Sequence, residues 1–338
     1  MDLRIDKVVD GAGARAWHAI ADVCVPFDHP GLLADPLQEV LAYLRDVPRC
    51  QKKDFWTKEF WVARAGEATV AAGSVELSLV DNLHLAGIEI DVPPKLRRRG
   101  YGREMLEFLR IQCRSAGRST LVGHVGAPLG GTSPGESFAT AVGARMVLEE
   151  VRSELRTAMI DRRALTELEE QSEADAAGYE VVQWIDRAPG DVVEQLAQLR
   201  ASFLTEAPMG GLSLEPERWD VARFREWEQE TVERGRLRVA TGARHVPSGR
   251  LVGYTEITVP RSRPQAAYQW DTLVAPDHRG HRLGLLMKIA NLWQLDREIV
   301  GVETVQTWNA QENSHMVAIN EAMGFRAVER YGEWQMEI

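Results

Sequence analysis

The chain has 338 residues, 44% of them hydrophobic and 27% charged, which is enough apolar material for a large core and more length than one ordinary domain uses. Its formal net charge of −10 runs against the clustered Lys and Arg that phosphate-backbone binding requires, which argues against a nucleic-acid partner and suits cationic ligands. The opening MDLRIDKVVD carries charges where a secretory signal needs an apolar run, and no stretch of about 18 uncharged apolar residues follows, so we expect a cytoplasmic protein with no membrane partner.

In chain order, a short strand is predicted at 3–9, helices near 12–23 and 36–44, and strands at 60–65, 69–79 and 84–92, each alternating or rich in apolar residues. A helix over 101–115 places Met105, Leu106, Leu109 and Cys113 on one face. The Gly- and Pro-rich stretch 123–135 reads as irregular, and the charged segment 165–178 as an exposed helix ending at a Gly. A strand at 179–185 and a helix at 191–204 then restart the pattern. Strands near 237–241, 251–259 and 267–274, a helix over 283–295 and a strand at 302–308 complete it. Cys24, Cys50 and Cys113 are odd in number and lack C-x-x-C spacing, so we expect reduced, mostly buried thiols and no metal.

The second series repeats the first. IEIDVPPKLRRRGYG at 88–102 lines up with WDTLVAPDHRGHRLG at 270–284, with residue 97 on 279 and residue 89 on 271, a constant offset of 182. TSPGESFATAVGA at 132–144 lines up with NSHMVAINEAMGF at 313–325 at an offset of 181, as a one-residue loop change produces. The layout predicts two tandem α/β units of one fold, an N-terminal domain over 1–165 and a C-terminal domain over 166–338.

Each copy has a strand ending near Val-x-Pro, an Arg, a turn, and a helix start. Arg97, Arg98, Arg99, Gly100, Tyr101 and Gly102 form the first turn, and Arg279, Gly280, His281, Arg282, Leu283 and Gly284 the second. Such a turn leaves backbone N–H groups unpaired at a helix N-terminus, where they and the helix dipole favour a phosphate, and glycines allow close approach. The turn resembles the Arg/Gln-x-x-Gly-x-Gly/Ala signature of the GCN5-related N-acetyltransferase (GNAT) superfamily, which cradles the coenzyme A pyrophosphate, and the resemblance spans both halves. The second copy departs from the signature, because Arg282 stands where a Gly is expected and either pairs with a phosphate or crowds the loop.

The resemblance implies, for each half, a mixed, mostly antiparallel sheet flanked by helices and opened into a V between its fourth and fifth strands. It implies acetyl-CoA as co-substrate and backbone N–H groups near Leu273 and Val274, or Asp91 and Val92, facing the thioester oxygen. It gives Asn313 as an acyl-CoA contact and puts Asn320 where the family often has a Tyr general acid; the first half has Thr132 and Ala139 at these places. Asp271 and Glu89 precede the strand ends by three residues and suit an amine anchor or base. We therefore expect an acetyl-CoA-dependent N-acetyltransferase for a primary amine of a small cationic molecule. The second half is then catalytic through Asp271 and Asn320, the first partly degenerate, and the assembly a pseudo-dimeric monomer or a homodimer. Non-catalytic acyl-CoA sensing or scaffolding and protein lysine acetylation stand as alternatives. Tyr268, Tyr254 and His315 are lesser acid candidates, and Trp270 and Trp308 candidate walls of an acceptor pocket. Gly131 to Gly135 matches a hydrolase G-x-S-x-G elbow, but Pro134 lacks the N–H that its oxyanion hole needs.

Overall fold

The computed structural model describes residues 3–46 and 55–338, so Cys50 lies outside the described residues. The elements are β1 (Leu3–Lys7), α1 (Gly11–Asp28), α2 (Leu37–Asp46), β2 (Trp56–Ala65), β3 (Ala68–Ser78), β4 (Leu85–Asp91), α3 (Tyr101–Ser115), β5 (Thr120–Ala127), α4 (Pro134–Ala141) and β6 (Arg145–Arg156). They continue with α5 (Arg162–Asp175), β7 (Tyr179–Ile185), α6 (Val193–Glu206), α7 (Val221–Glu233), β8 (Arg236–His245), β9 (Arg250–Pro260), β10 (Ala266–Val274), α8 (Leu283–Glu298), β11 (Thr304–Ala310), α9 (Ser314–Ala322) and β12 (Arg326–Glu337).

Two compact units emerge. Unit 1 holds the described residues up to Glu150 together with Met209–Glu215 and Glu329–Ile338, and unit 2 holds Val151–Pro208 and Pro216–Val328. The units differ from a single cut near residue 165, because sequence-distant segments complete unit 1. The C-terminal strand β12 pairs antiparallel with β5 from Arg330↔Ala127 to Glu337↔Thr120. The Met209–Glu215 segment is tied in by Gly211 N–H to Val147 C=O and by the Glu215 N–H to Asn82 Oδ1.

In unit 1 the strand order is β1-β2-β3-β4-β5-β12, antiparallel except for β4 with β5. Strand alternation sends Phe60 and Val62 to a core with Trp17, Ile20 and Cys24 of α1, and Trp61 and Ala63 to a second core with Met105, Leu106 and Leu109 of α3. Cys24 and Cys113 are buried free thiols, as expected. Unit 2 repeats the plan with the order β6-β11-β10-β9-β8-β7. Val239 and Ile257 face α8, while Ala240 and Tyr254 face α6 and α7. Both units are thus mixed, mostly antiparallel sheets with helices on both faces. The stretch 123–135 is not uniformly irregular, since its first five residues continue β5 as far as Ala127.

Truncation after Val328 removes the antiparallel partner of β5 and leaves an open sheet edge. The expected outcome is loss of a cooperative unfolding transition and self-association, read by circular dichroism melting and size-exclusion chromatography; an unaltered melt of a monodisperse protein would contradict the strand assignment.

Candidate active site

The two turns share one backbone conformation. Left-handed residues occupy the second and fourth turn positions of both, Arg98 (φ 64°) with Gly100 (φ 89°) and Gly280 (φ 87°) with Arg282 (φ 50°). Each copy fills one of these positions with Gly and the other with Arg, in opposite order. A left-handed non-Gly residue costs roughly 1–2 kcal/mol, so the shape is kept in both copies at a cost. Arg282 does not crowd the loop: its guanidinium reaches Asp175 at 3.1 Å.

Donors at these helix starts are left open. Asp10, Ser133, Asp161, Asp220 and Asn313 cap α1, α4, α5, α7 and α9 with their side chains, whereas Gly100 and Arg282 cap α3 and α8 with none. The ladders begin at Glu104 N–H to Gly100 C=O and Leu286 N–H to Arg282 C=O. Tyr101, Gly102 and Arg103, and Leu283, Gly284 and Leu285, therefore point their N–H groups outward at the positive end of a helix, which fits a pyrophosphate.

Arg97 and Arg279 act on the loop itself. Arg97 donates to the Val92 carbonyl at 2.9 Å and forks onto Asp28 at 2.8 and 2.5 Å. Arg279 donates to the Val274 carbonyl at 3.2 Å and to Glu206 at 2.7 Å. These guanidiniums clamp each strand end to the end of a helix, α1 in unit 1 and α6 in unit 2. Arg98 and Arg99 are exposed, and the His281 ring lies 5.2 Å from that of Tyr179.

The V predicted between the fourth and fifth strands is present in both units. β4 pairs with β5 only over Leu85–Gly87, and β10 with β11 only over Ala266–Tyr268. The copies then diverge. The β3–β4 register runs unbroken from Ala72↔Asp91 to Glu76↔Gly87, but the β9–β10 register shifts between Gln269 and Thr272. The shift inverts the alternation of β10, so that Ala267 packs on the α8 side and Leu273 on the α6 and α7 side. Since Ala275 N–H bonds to Val252 C=O of β9, alternation turns the Leu273 amide to β9 and the Thr272 and Val274 amides to the opened gap.

Asp271 sits inside the shift. Its carboxylate accepts from the Tyr254 hydroxyl at 3.0 Å and lies 3.9 Å from Arg200, with 21% of the side chain exposed. Burial pushes Asp271 up to about 6 against the pull of Arg200, and Glu256 adds to the rise. Arg200 is itself fixed, 3.0 Å from Glu256 and over the rings of Trp219 and Trp227 at 4.7 and 4.1 Å. Glu89 in unit 1 has a different setting, with Ser74 donating at 2.7 Å and Lys58 at 3.1 Å. Desolvation works to raise its pKa, and the Lys58 ammonium and Ser74 hydroxyl outweigh it, so the carboxyl falls below its ordinary value.

Asn313 spends its side-chain oxygen on the Met316 N–H at 3.3 Å, as a helix cap. Asn320 is buried, and its amide nitrogen donates to Asn309 at 2.6 Å. Ala139 matches Asn320 in the fold, each accepting the N–H five residues on, from Ala144 and Phe325. The unit 1 helix cap is Ser133, not Thr132. Tyr268 and Trp308 stack with centroids 6.3 Å apart, and Trp270 is half exposed with its Nε1 donating to Thr258.

Unit 1 also gathers titratable groups that the sequence reading missed. His124 of β5 lies 3.5 Å from Glu333 of β12 and stacks on Tyr331, while His29 pairs with Glu329 at 2.8 Å. Burial pushes Asp91 and Glu150 each up to about 7, with neighbouring carboxylates adding to it. Gly126 leaves no room for a Cβ, because Glu329 and the His29 ring fill that space. The missing signal was the pairing of β12 with β5, which brings these residues together. Among the described residues no group of three or more His, Cys, Asp or Glu is placed to hold a metal, and no helix is long and apolar enough to cross a membrane.

Comparison with known proteins agrees with this geometry. The model of the Acetyltransferase (GNAT) family matches residues 32–128. A tandem GNAT protein from the clavulanic acid biosynthesis pathway, solved without AcCoA, superposes with a TM-score of 0.79 at 28% identity over 99% of this chain and 98% of its own. Together these two matches support a tandem member of the GNAT superfamily. A GCN5-related N-acetyltransferase from Sphaerobacter thermophilus shares the fold at a TM-score of 0.65 and 16% identity, over 99% of this chain and 95% of its own. No curated protein sequence matches the chain. The likeness to the GNAT family points to an N-acyltransferase.

Arg97→Ala removes two charge-assisted hydrogen bonds to Asp28. The expected loss is about 2 kcal/mol, the scale of hydrogen bonds to charged groups, measured by urea denaturation; an unchanged midpoint would contradict the clamp.

Proposed function

We propose that the protein is an acetyl-CoA-dependent N-acetyltransferase acting on a primary amine of a small cationic molecule. Chemistry is assigned to the C-terminal domain, over 166–338, with the N-terminal domain partly degenerate. One coincidence carries this reading: the register shift around Asp271, the parting of β10 from β11, and the uncapped start of α8 all lie within one strand-turn-helix segment. The corresponding strand of unit 1 lacks the shift, and its acid is already paired with Lys58. The acidic balance of the chain supports a cationic acceptor.

In this reading the N–H groups at the start of α8 hold the pyrophosphate, and the Thr272 and Val274 amides line the gap that receives the acyl arm. Asp271 anchors the acceptor and takes its proton as the amine attacks the thioester carbonyl. Backbone N–H groups facing the gap stabilise the negative charge that develops on the carbonyl oxygen. Tyr254 and Arg200 hold the Asp271 carboxylate in place, and Trp270 and Trp308 wall the acceptor side.

Acetyl-CoA binding to the folded state alone raises Tm with ligand concentration, by RT ln(1 + [L]/Kd). A flat melting curve series with both acetyl-CoA and CoA, together with no calorimetric heat, would sink the co-substrate assignment.

Kinetics test the base. Thiol release across an amine panel identifies an acceptor, after which Asp271→Ala is expected to lower kcat/KM by roughly 10²-fold or more, with Glu89→Ala nearly silent. Asp271 works deprotonated and its pKa is raised to about 6, so kcat/KM should fall as pH drops through about 6. The reverse ranking of the two variants would move the chemistry to unit 1. Acetyl-CoA binding without thiol release to any amine would leave the non-catalytic reading.

A further inference from the structure

Lys288 is on α8 with 1% of its surface exposed. The repeat offset places it on Leu106, a core residue of α3 packed with Met105 and Leu109. Leu285 and Leu292, one turn to either side, belong to the same core cluster as Phe325, and the Lys288 ammonium stands 5.7 Å from the Phe325 ring centroid. Among the described residues no carboxylate or other polar group pairs with Nζ, and burial alone lowers its pKa to about 7. A leucine would fill this position without burying an uncompensated charge. Packing therefore gives no reason for a lysine here.

A second buried polar atom lies on α9, five residues before Phe325. Asn320 is 2% exposed and donates its amide nitrogen to Asn309, yet its Oδ1 has no hydrogen-bond partner among the described residues. The main-chain carbonyl of Asn320 accepts the Phe325 N–H. Lys288 at the Phe325 ring and Asn320, whose main chain holds the Phe325 N–H, thus each carry a buried polar group without a partner among the described residues, as expected where a polar ligand completes the site. A Cβ at Gly284, one turn before Lys288, would meet Thr272 of β10 at 4.0 Å and Ile319 of α9 at 3.7 Å. This part of α8 therefore borders the space between β10 and α9, beside the register shift and on the opposite side of the strand from Asp271.

We propose that Lys288 is the proton donor to the departing thiolate, the role left open by Asn320 in place of a tyrosine. This rests on the acetyl transfer proposed above. The acceptor nitrogen forms its bond to the carbonyl carbon and gives its proton to Asp271; the carbon–sulfur bond breaks, and its electron pair leaves on sulfur. Nζ–H of the ammonium transfers its proton to that sulfur, which yields the CoA thiol and a neutral Lys288 amine. Solvent restores the Lys288 proton after product leaves. The transfer is downhill, because an ammonium that titrates near 7 is a stronger acid than an alkyl thiol at about 8.5.

The test is Lys288→Leu, the residue that unit 1 carries at this position, compared with wild type in kcat, its pH profile, acetyl-CoA affinity and Tm. Lys288 works protonated, so wild-type kcat should fall as pH rises through its pKa. The variant should lose that alkaline limb and roughly 10²-fold or more of kcat, with acetyl-CoA affinity retained. Its Tm should increase, most clearly below pH 7: the lysine pKa is lower folded than unfolded, so the native protein loses stability as pH falls from about 10 toward 7, and leucine removes that loss. Full activity in the variant, or an unmoved alkaline limb, would overturn the proposal, and so would a fall in kcat accompanied by lower Tm and lost affinity. Failure of wild type to release thiol with any amine would instead defeat the acetyl-transfer reading, and the donor role with it.

Discussion

A strand that leaves its neighbour must still account for its backbone polar groups, and that requirement organises both units. β10 keeps only three residues of parallel pairing with β11, and β4 keeps three with β5. Beyond those points one edge of each strand has donors and acceptors with no sheet partner. The protein satisfies part of this deficit with arginine: Arg97 covers the Val92 carbonyl and Arg279 the Val274 carbonyl. The amides are left for something else. The turn that follows each strand adds more open donors at the start of a helix, so the opened strand and the uncapped helix form a continuous line of N–H groups suited to an acyl arm with a phosphate tail.

The two copies solve the chemistry at the strand end differently. In unit 1 the acid lies on an unbroken strand and is neutralised by Lys58, with Ser74 holding it ionised. In unit 2 the register shift sets Asp271 against Tyr254 and beside Arg200, and burial keeps it titrating near neutrality. Arg200 is itself held by Glu256 and two tryptophans, which limits how far it can move to pair fully with Asp271. The same duplication placed Leu106 and Lys288 at matching positions of α3 and α8, so one unit has a uniformly apolar core there and the other does not.

Much of this was legible in the sequence because it is local. The 182-residue offset, the turn residues and the helix over Tyr101–Ser115 come from short-range periodicity and Gly placement, and the structure repeats them. The role of Arg97 was misplaced for a nonlocal reason: its partner Asp28 is 69 positions away. Strands β6 and β12 were missed because MVLEEVRSELR and ERYGEWQME are rich in charge, and only the neighbouring strand makes them sheet. With β12 missed, the assembly of His124, Glu333, Tyr331 and Glu329 in unit 1 was out of reach. The Arg at position 282 looked like a defect in the signature, yet the turn keeps its left-handed residues and exchanges the order of Gly and Arg between copies.

The most direct measurement is residue-resolved amide hydrogen exchange of the full chain with and without acetyl-CoA. Acetyl-CoA held in unit 2 should slow exchange at Leu283, Gly284 and Leu285 and at the Thr272 and Val274 amides that face the gap. Unchanged exchange at all of these positions under saturating acetyl-CoA would contradict the assignment of the opened strand and uncapped helix as the acyl-CoA site.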